Sequence, residues 1–513
     1  MAVYVLAFPY HPGLRSPNEL SRLMQSRALV DFGEPSLNRA MRVYGPVGDL
    51  SYREGRFYPS KAPLLSYAAA PIYAVLRLFG GNQAGVVPEI PLIFFSRLLL
   101  TVLPTLVTLA FLRRFLSVYV DSGTADLVVV FYAFGTLAFS YSIQFLSHQT
   151  SASLLFLAFY AGWRWAREEA PPRILVLLGF LAGMAVAAEY TSAMAAGLLA
   201  LWILVARGGS ARSRILALSL VALGAVAPLA LLGAYHAHCF GSPLETGYKH
   251  LADAAYQPWH LGGFLGIRTP DPRALALSLF SPLRGLFTLS PGLLVGLAGL
   301  PLIWQGRSRF RELGAISLLT GALLVSYLYF TASFSYESWG WTTGPRHMTG
   351  LVPFLLLPTA LLLRDLQSPV ALGCGRGLLA ASVLVTGWVT LVNYIPDDVS
   401  EPLFGLVLPL ARRGDLVPSV LSFLGIPNPW SGLLFMGALL AFAAWMLLAE
   451  TSALSGRTTL ALTGAAVVGL VLGAHRVSFR DTPGDRGARE LLSRVWLAPQ
   501  GVVPRFWSST GRP

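Results

Sequence analysis

The chain has 513 residues, of which 54% are hydrophobic and 12% charged, with a mean hydropathy of +0.60. A soluble domain of that length and composition is excluded, so the chain reads as an integral membrane protein. Its net charge of +13 is spread as single arginines between apolar runs and makes no basic face, which argues against nucleic acid as a partner.

In chain order, residues 1–9 are apolar but too short to cross. They read as the outer end of a first helix, with roughly ten more apolar residues expected upstream. Residues 15–67 form the longest polar segment and hold Glu19, Arg22, Asp49 and Lys61. Leu20, Leu23, Met24, Arg27 and Ala28 give it an amphipathic helical period, with Ser16 or Asn18 as the cap. The segment reads as a working surface, and a solvated linker is the plain alternative.

The run 62–79 contains Pro63 and Pro71 and reads as an interfacial or shallowly inserted helix. Spanning runs follow near 91–112, 126–142, 150–165, 173–188, 190–206, 214–235, 284–304, 313–333, 347–363, 377–395, 431–449 and 458–474. The fold class is therefore all-α, a polytopic bundle of roughly 13 transmembrane helices, counting the clipped first one.

Arginines orient it. Arg113, Arg114, Arg164, Arg167, Arg207, Arg307, Arg364, Arg376 and Arg457 occupy alternate loops, which places those loops inside. The outer segments are then 10–61, 142–149, Glu189, 236–283, 334–346, 396–430 and the tail after 475. Lys61, Lys249 and all eight histidines fall on the outer side, which points to a site at the outer membrane–water boundary. Residues 1–474 read as one transmembrane domain with an outer loop at 10–90, and 475–513 as a short outer tail. Cys239 and Cys374 lie on opposite sides, too far apart for a disulfide, which needs Cα atoms within about 7 Å.

Several constellations carry chemistry. Glu19 and Arg22 are one turn apart, a base beside a cation or an ordinary surface pair. Lys61 stands where polar loop meets apolar helix, able to meet a lipid phosphate or to snorkel as an anchor. Glu337, Trp339, Trp341, Arg346 and His347 combine a sugar platform with a phosphate clamp, or form an aromatic belt and turn. His236 and His238 make an HxH pair without a completing carboxylate, so a polar loop is favoured over a metal. His148 and Glu189, ionisable at the outer ends of their runs, are site candidates or simply interfacial.

The segments NELSRLMQSRALVDFG, GDLSYREGRFYPSKAPLLSYAAAPIY, YHAHCFGSPLETGY and WGWTTGPRHMTGLVPFLLLP resemble the GT-C class of membrane glycosyltransferases. The likeness is to the phospholipid-carrier-dependent branch related to protein O-mannosyltransferases and the lipid A aminoarabinose transferase. The resemblance implies that Glu19 is the catalytic base, with Asp49 as a second acid. It places Lys61 and Arg346 at the donor phosphate, and the residues themselves suggest Arg22 and His347 as further donor-phosphate contacts. Tyr58, His148, Glu189, Tyr248, Glu337, Trp339 and Trp341 are the expected sugar or acceptor contacts. Two departures stand out: Ser60 replaces an acid before the lysine, and Leu64 replaces the glycine of K-A-P-G.

The implied activity is transfer of a sugar, hexosyl or pentosyl, from a polyprenyl-phosphate-linked donor. The acceptor is a glycan, lipid or protein hydroxyl. The transfer takes place on the outer face of a bacterial inner membrane, with inversion. No cofactor is expected, a divalent metal being possible but not indicated. The partners are donor, acceptor and membrane lipids. A lipid-linked glycan ligase, a transporter or flippase, and a non-catalytic scaffold are the rival readings. A transporter would place its charges near the bilayer midplane, and a scaffold would not need an acid, a lysine and an arginine to converge.

Overall fold

The first stretch of the polar segment, 17–32, is folded into the helices that follow it, while much of 38–57 stays exposed. A computed structural model describes residues 4, 16–80, 87, 89–263, 266–334, 340–449 and 454–496. The expected first helix, apart from Tyr4, lies outside the described residues. Helix α1 spans Pro17–Phe32. Pro17 at its first turn has its φ preset for helix, and Gly33 ends it in the left-handed region at φ 69°. Ser16 stands at the cap position in extended backbone, but neither its side chain nor that of Asn18 makes the cap bond expected of it.

The expected polar outer face of α1 is also corrected. Asn18, Glu19, Ser21, Arg22, Gln25 and Ser26 are all buried. They tolerate burial because they find partners: Ser26 donates to the Ser66 carbonyl at 2.7 Å and Gln25 to the Tyr235 hydroxyl at 3.1 Å.

Helix α2, Asn38–Tyr44, leads to an antiparallel hairpin of β1 (Leu50–Arg53) and β2 (Arg56–Pro59), in register Ser51↔Tyr58. The expected helix at 62–79 forms as α3, Leu64–Gly80, and packs along α1. Next come α4 (Glu89–Leu116, with a π turn at Leu98–Val102), α5 (Ser122–Gly135), α6 (Leu137–Ser142) and α7 (Ser147–Ala166). They are followed by α8 (Ile174–Ala188), α9 (Ser192–Ala206) and α10 (Ala211–Phe240). The second half contains α11 (Pro272–Phe280), α12 (Leu293–Gln305), α13 (Glu312–Ser333), α14 (Leu356–Asp365) and α15 (Pro369–Val389). It closes with α16 (Trp430–Leu448), α17 (Leu454–Ser478) and α18 (Pro483–Leu491).

Among the described residues the fold is thus all-α apart from one hairpin. Among the described residues six helices are both long and apolar enough to cross a membrane, and four shorter apolar helices accompany them.

Several run boundaries shift. The expected span 126–142 breaks at Thr136, which leaves helical backbone between α5 and α6. The run 347–363 begins as two 3-10 turns, Arg346–Gly350 and Val352–Leu355, before α14. The run 377–395 starts eight residues early, at Pro369. Arg376 is therefore inside α15, donating to the Ala449 carbonyl at 2.8 Å, and is not a loop arginine. The reason is a glycine seam. A methyl on Gly373 would stand 2.7 Å from the Leu460 carbonyl oxygen, and one on Gly377 2.7 Å from that of Gly464. Glycine reads as loop-like in a hydropathy scan, yet it lets two membrane helices touch backbones.

Helices α8 and α10 make the same kind of contact. A methyl on Gly179 would strike the Val221 carbonyl, and one on Gly224 the Val176 carbonyl. At the C-terminal end, His475 of α17 is buried against Glu401 at 2.8 Å. Helix α18 bonds back to the Gly405 carbonyl through Arg489.

Candidate active site

The hairpin places the first charged group. Asp49 enters β1 in left-handed backbone at φ 59°, a conformation Asp adopts more readily than most residues. Ser60, just past β2, donates to Asp49 Oδ1 at 2.6 Å, and the Lys61 ammonium lies 3.2 Å from the same oxygen. Burial raises the Asp49 carboxyl, but Lys61 and the two hydrogen bonds outweigh it, so it sits below the usual carboxylate range. Burial lowers Lys61, with Asp49 pulling against it and Arg346 adding to it.

The loop after α10 supplies an aromatic wall. Ser51 Oγ donates to the Gly247 carbonyl at 2.6 Å, and Ser51 bridges Leu251. This pins the hairpin to Tyr248, whose ring centroid lies 4.7 Å from the Lys61 ammonium. His260 stacks on Tyr248 at 4.3 Å and 9°. Burial, then the field of Lys61, push the His260 imidazole down to about 4.

A second chain of bonds reaches the site from α1. Arg22 donates through Nε to Asn18 Oδ1 at 2.9 Å and through Nη2 to Ser147 Oγ at 3.0 Å. Ser147 in turn donates to Glu189 Oε2 at 2.7 Å. His148 Nδ1 lies 3.4 Å from the same carboxylate oxygen, and its ring meets His347 edge-on at 5.6 Å. Glu189 is held at the break between α8 and α9, beside Tyr190. Arg346 follows Gly344, whose φ of 65° turns the chain, and it acts electrostatically on Asp49, Lys61 and His148.

Of the residues expected from the sequence, Arg22, Asp49, Lys61, His148, Glu189, Tyr248, Arg346 and His347 converge. Glu19 takes a different partner. It does not pair with Arg22; Arg97 of α4 reaches Oε1 at 3.1 Å, and the Phe145 amide bonds the same oxygen. Its Oε2 is buried and has no hydrogen-bond partner among the described residues. Tyr58 packs instead into an apolar cluster with Tyr235, Cys239 and Phe240, because the hairpin turns its ring toward α10. Trp341 is exposed, and Glu337 and Trp339 lie outside the described residues.

The HxH pair does not converge: His236 bonds the Tyr190 hydroxyl at 2.9 Å and faces the Pro243 carbonyl at 3.1 Å, while His238 is exposed. Among the described residues no three His, Cys, Asp or Glu side chains gather as metal donors would.

Arg97, Ser147, Tyr190 and His260 were not singled out from the sequence. Arg97 alone carried a signal, a cation inside an apolar run.

No family model and no curated protein matches the chain. Solved structures do. ArnT from Cupriavidus metallidurans in the apo state is 15% identical over 93% of this chain and 75% of that one, with a TM-score of 0.49. ArnT bound to undecaprenyl phosphate is also 15% identical, over 93% and 76%, with a TM-score of 0.53, and the fold assignment rests on it. The chain has the fold of ArnT, the lipid A aminoarabinose transferase.

Proposed function

We propose that the chain transfers a sugar from a polyprenyl-phosphate-linked donor to an acceptor hydroxyl at the outer face of the membrane, with inversion. The observation that carries this reading is the grouping of Lys61 and Arg346. They come from segments 285 residues apart (346 − 61), yet they act on each other and on Asp49. Like charges held together in a half-buried place suit a ligand that brings negative charge. The ArnT structure of the same fold holds undecaprenyl phosphate, which supports a lipid phosphate in that role.

In this reading the acceptor oxygen attacks the anomeric carbon while the bond from that carbon to the donor phosphate oxygen breaks. The bonding electrons leave with the phosphate, which gains one negative charge. Lys61 and Arg346 meet that charge as it grows, and Asp49 and Ser60 fix Lys61 in place. Glu19 takes the acceptor proton. Arg97 gives it the counter-charge a buried carboxylate needs, and Oε2 remains to receive the hydroxyl. Attack opposite the phosphate inverts the anomeric centre. No step is routed through a metal.

The test is mass spectrometry of lipid-linked sugars in a strain lacking the gene. One polyprenyl-phosphate sugar should accumulate, and a restored copy carrying Glu19→Gln should leave it high, with transfer slowed at least about 100-fold. An unchanged lipid profile, or a Glu19→Gln copy that restores normal transfer, would remove the basis of this mechanism.

A further inference from the structure

Helix α3 has two faces. Leu65, Ala69, Tyr73 and Leu76 are buried, while Tyr67, Pro71, Val75, Leu78 and Phe79 are exposed. The exposed set recurs at helical spacing and makes one apolar stripe along the helix. The stripe is most open at its end, where Leu78 and Phe79 are 79% and 87% exposed. In a chain with membrane-spanning helices, such a stripe faces lipid.

Arginines collect where the stripe ends. Arg77 reaches Asp31 of α1. Asp31 Oδ2 also accepts from the Tyr73 hydroxyl at 2.8 Å and from the Tyr44 hydroxyl at 2.6 Å. The C-terminal ends of α2 and α3 are thus held at one carboxylate. Val43, just before Tyr44, is 63% exposed, and Arg39 and Arg42, one turn apart on α2, are exposed as well. Arg39 lies over the Phe32 ring at 4.7 Å. Asn38 ties the hairpin tip to the start of α2: it donates to the Gly55 carbonyl at 2.9 Å and accepts from the Phe57 amide at 2.8 Å, which stands the exposed Arg56 beside it. Among the described residues Arg39, Arg42 and Arg56 have no carboxylate partner. Of the acids in this stretch, Asp31 is taken by Arg77 and Glu54 by Arg53, which leaves Glu34.

We propose that the joined ends of α2 and α3 are a docking face for anionic phospholipids, with acyl chains along the α3 stripe and headgroup phosphates on Arg39 and Arg42, Arg56 standing at the rim. An apolar stripe that ends among unpaired cations matches the two-part chemistry of such a lipid. Guanidinium groups suit its phosphate, which they can meet bidentately. A soluble polyanion would answer the arginines but leave Val43, Leu78 and Phe79 uncovered.

The experiment places an environment-sensitive dye on Val43→Cys in a Cys374→Ser background, Cys239 being buried. The full chain is held in phosphatidylcholine nanodiscs. Each disc carries a small share of spin-labelled phosphatidylglycerol or of spin-labelled phosphatidylcholine, the nitroxide near the glycerol end of the acyl chain. At equal mole fraction the phosphatidylglycerol should quench the dye at least about fivefold more, the enrichment expected from one cation near a membrane surface. Salt should weaken that preference, and Arg39→Gln with Arg42→Gln should bring the two lipids to parity. Equal quenching with the arginines intact, or a preference that persists in the double variant, would overturn the proposal. A dye that neither lipid quenches, and whose emission shifts when soluble polyphosphate is added, would overturn it too and give the face to a soluble polyanion.

Discussion

Glu19 is joined to Arg97, 78 residues along the chain, through Arg97 Nη2 at 3.1 Å from Oε1, with side chains 0% and 1% exposed. The pair binds the first polar helix to the first long apolar one. It also sets the price of altering either partner, since a buried charge that loses its counter-ion is costly.

Arg97→Met leaves Glu19 a fully buried carboxylate without that counter-ion. A loss of about 3–5 kcal/mol is expected, seen as a lower unfolding temperature in detergent. The double variant Glu19→Gln, Arg97→Met should recover most of that stability, while sugar transfer stays as slow as in Glu19→Gln alone. A double variant as unstable as Arg97→Met would show that the pair is not the source of the cost.

Lys61→Ala and Arg346→Ala should each slow donor turnover by about 100-fold to 1,000-fold, the scale of removing one preorganised donor to a developing negative charge. Lys61→Arg should retain part of the rate, because it keeps a cation at a slightly different reach. Wild-type donor turnover in both alanine variants would return these residues to an anchoring role.

The pH dependence follows from Lys61. Its folded value lies below 10.5, so the cation is lost earlier than on a free lysine as pH rises. Donor turnover should fall along an alkaline limb with its midpoint below 10.5, and Lys61→Arg should abolish that limb. Stability moves the other way: between the lowered value and the ordinary one the unfolded chain holds the proton better, so the cost of burying Lys61 fades as pH rises. Asp49 has a depressed value, so its contribution is present above the usual carboxylate range and is lost as pH falls through the folded one. A pH–rate profile that is the same for the unmodified protein and for the Lys61→Arg variant would contradict the assignment.

Gly247→Ala tests the coupling of hairpin to aromatic wall. A methyl there would stand 2.7 Å from Ser51 Oγ and 3.0 Å from the Ser60 carbonyl oxygen. The neighbours must shift, at about 1–3 kcal/mol, and Tyr248 moves off Lys61. Turnover should fall more than donor-lipid binding, measured side by side on the purified variant.

Much of the site was legible before folding, and the unreadable parts share a cause. Helix α1 could be placed from the spacing of Leu20, Leu23, Met24 and Ala28, because that is a local signal. Asp49, Lys61 and Arg346 stood out as charges at the edges of apolar runs and through resemblance. The partner of Glu19 was not readable. Arg22 stood one turn away, and nothing local says that a side chain on α4 would reach in and replace it. The start of α15 was misplaced because glycine lowers hydropathy, and its value at a helix–helix seam exists only once α17 is beside it. The break at Thr136 was hidden inside a continuous apolar run. Tyr58 sits away from Asp49 and Lys61, in the cluster with Tyr235, Cys239 and Phe240, a partner set that exists only once α10 is beside the hairpin.

The contact of α8 with α10 through Gly179 and Gly224 bears on how the site is kept ready. Backbone touching backbone leaves these two helices no room to slide. Their ends are tied as well, since Tyr190 follows α8 and bonds His236 near the end of α10. Glu189 and the root of the loop that bears Tyr248 thus sit on a single rigid frame. The Glu189 carboxylate thus stands in position before any ligand arrives, and a group that reaches it meets an acceptor that needs no reorganisation.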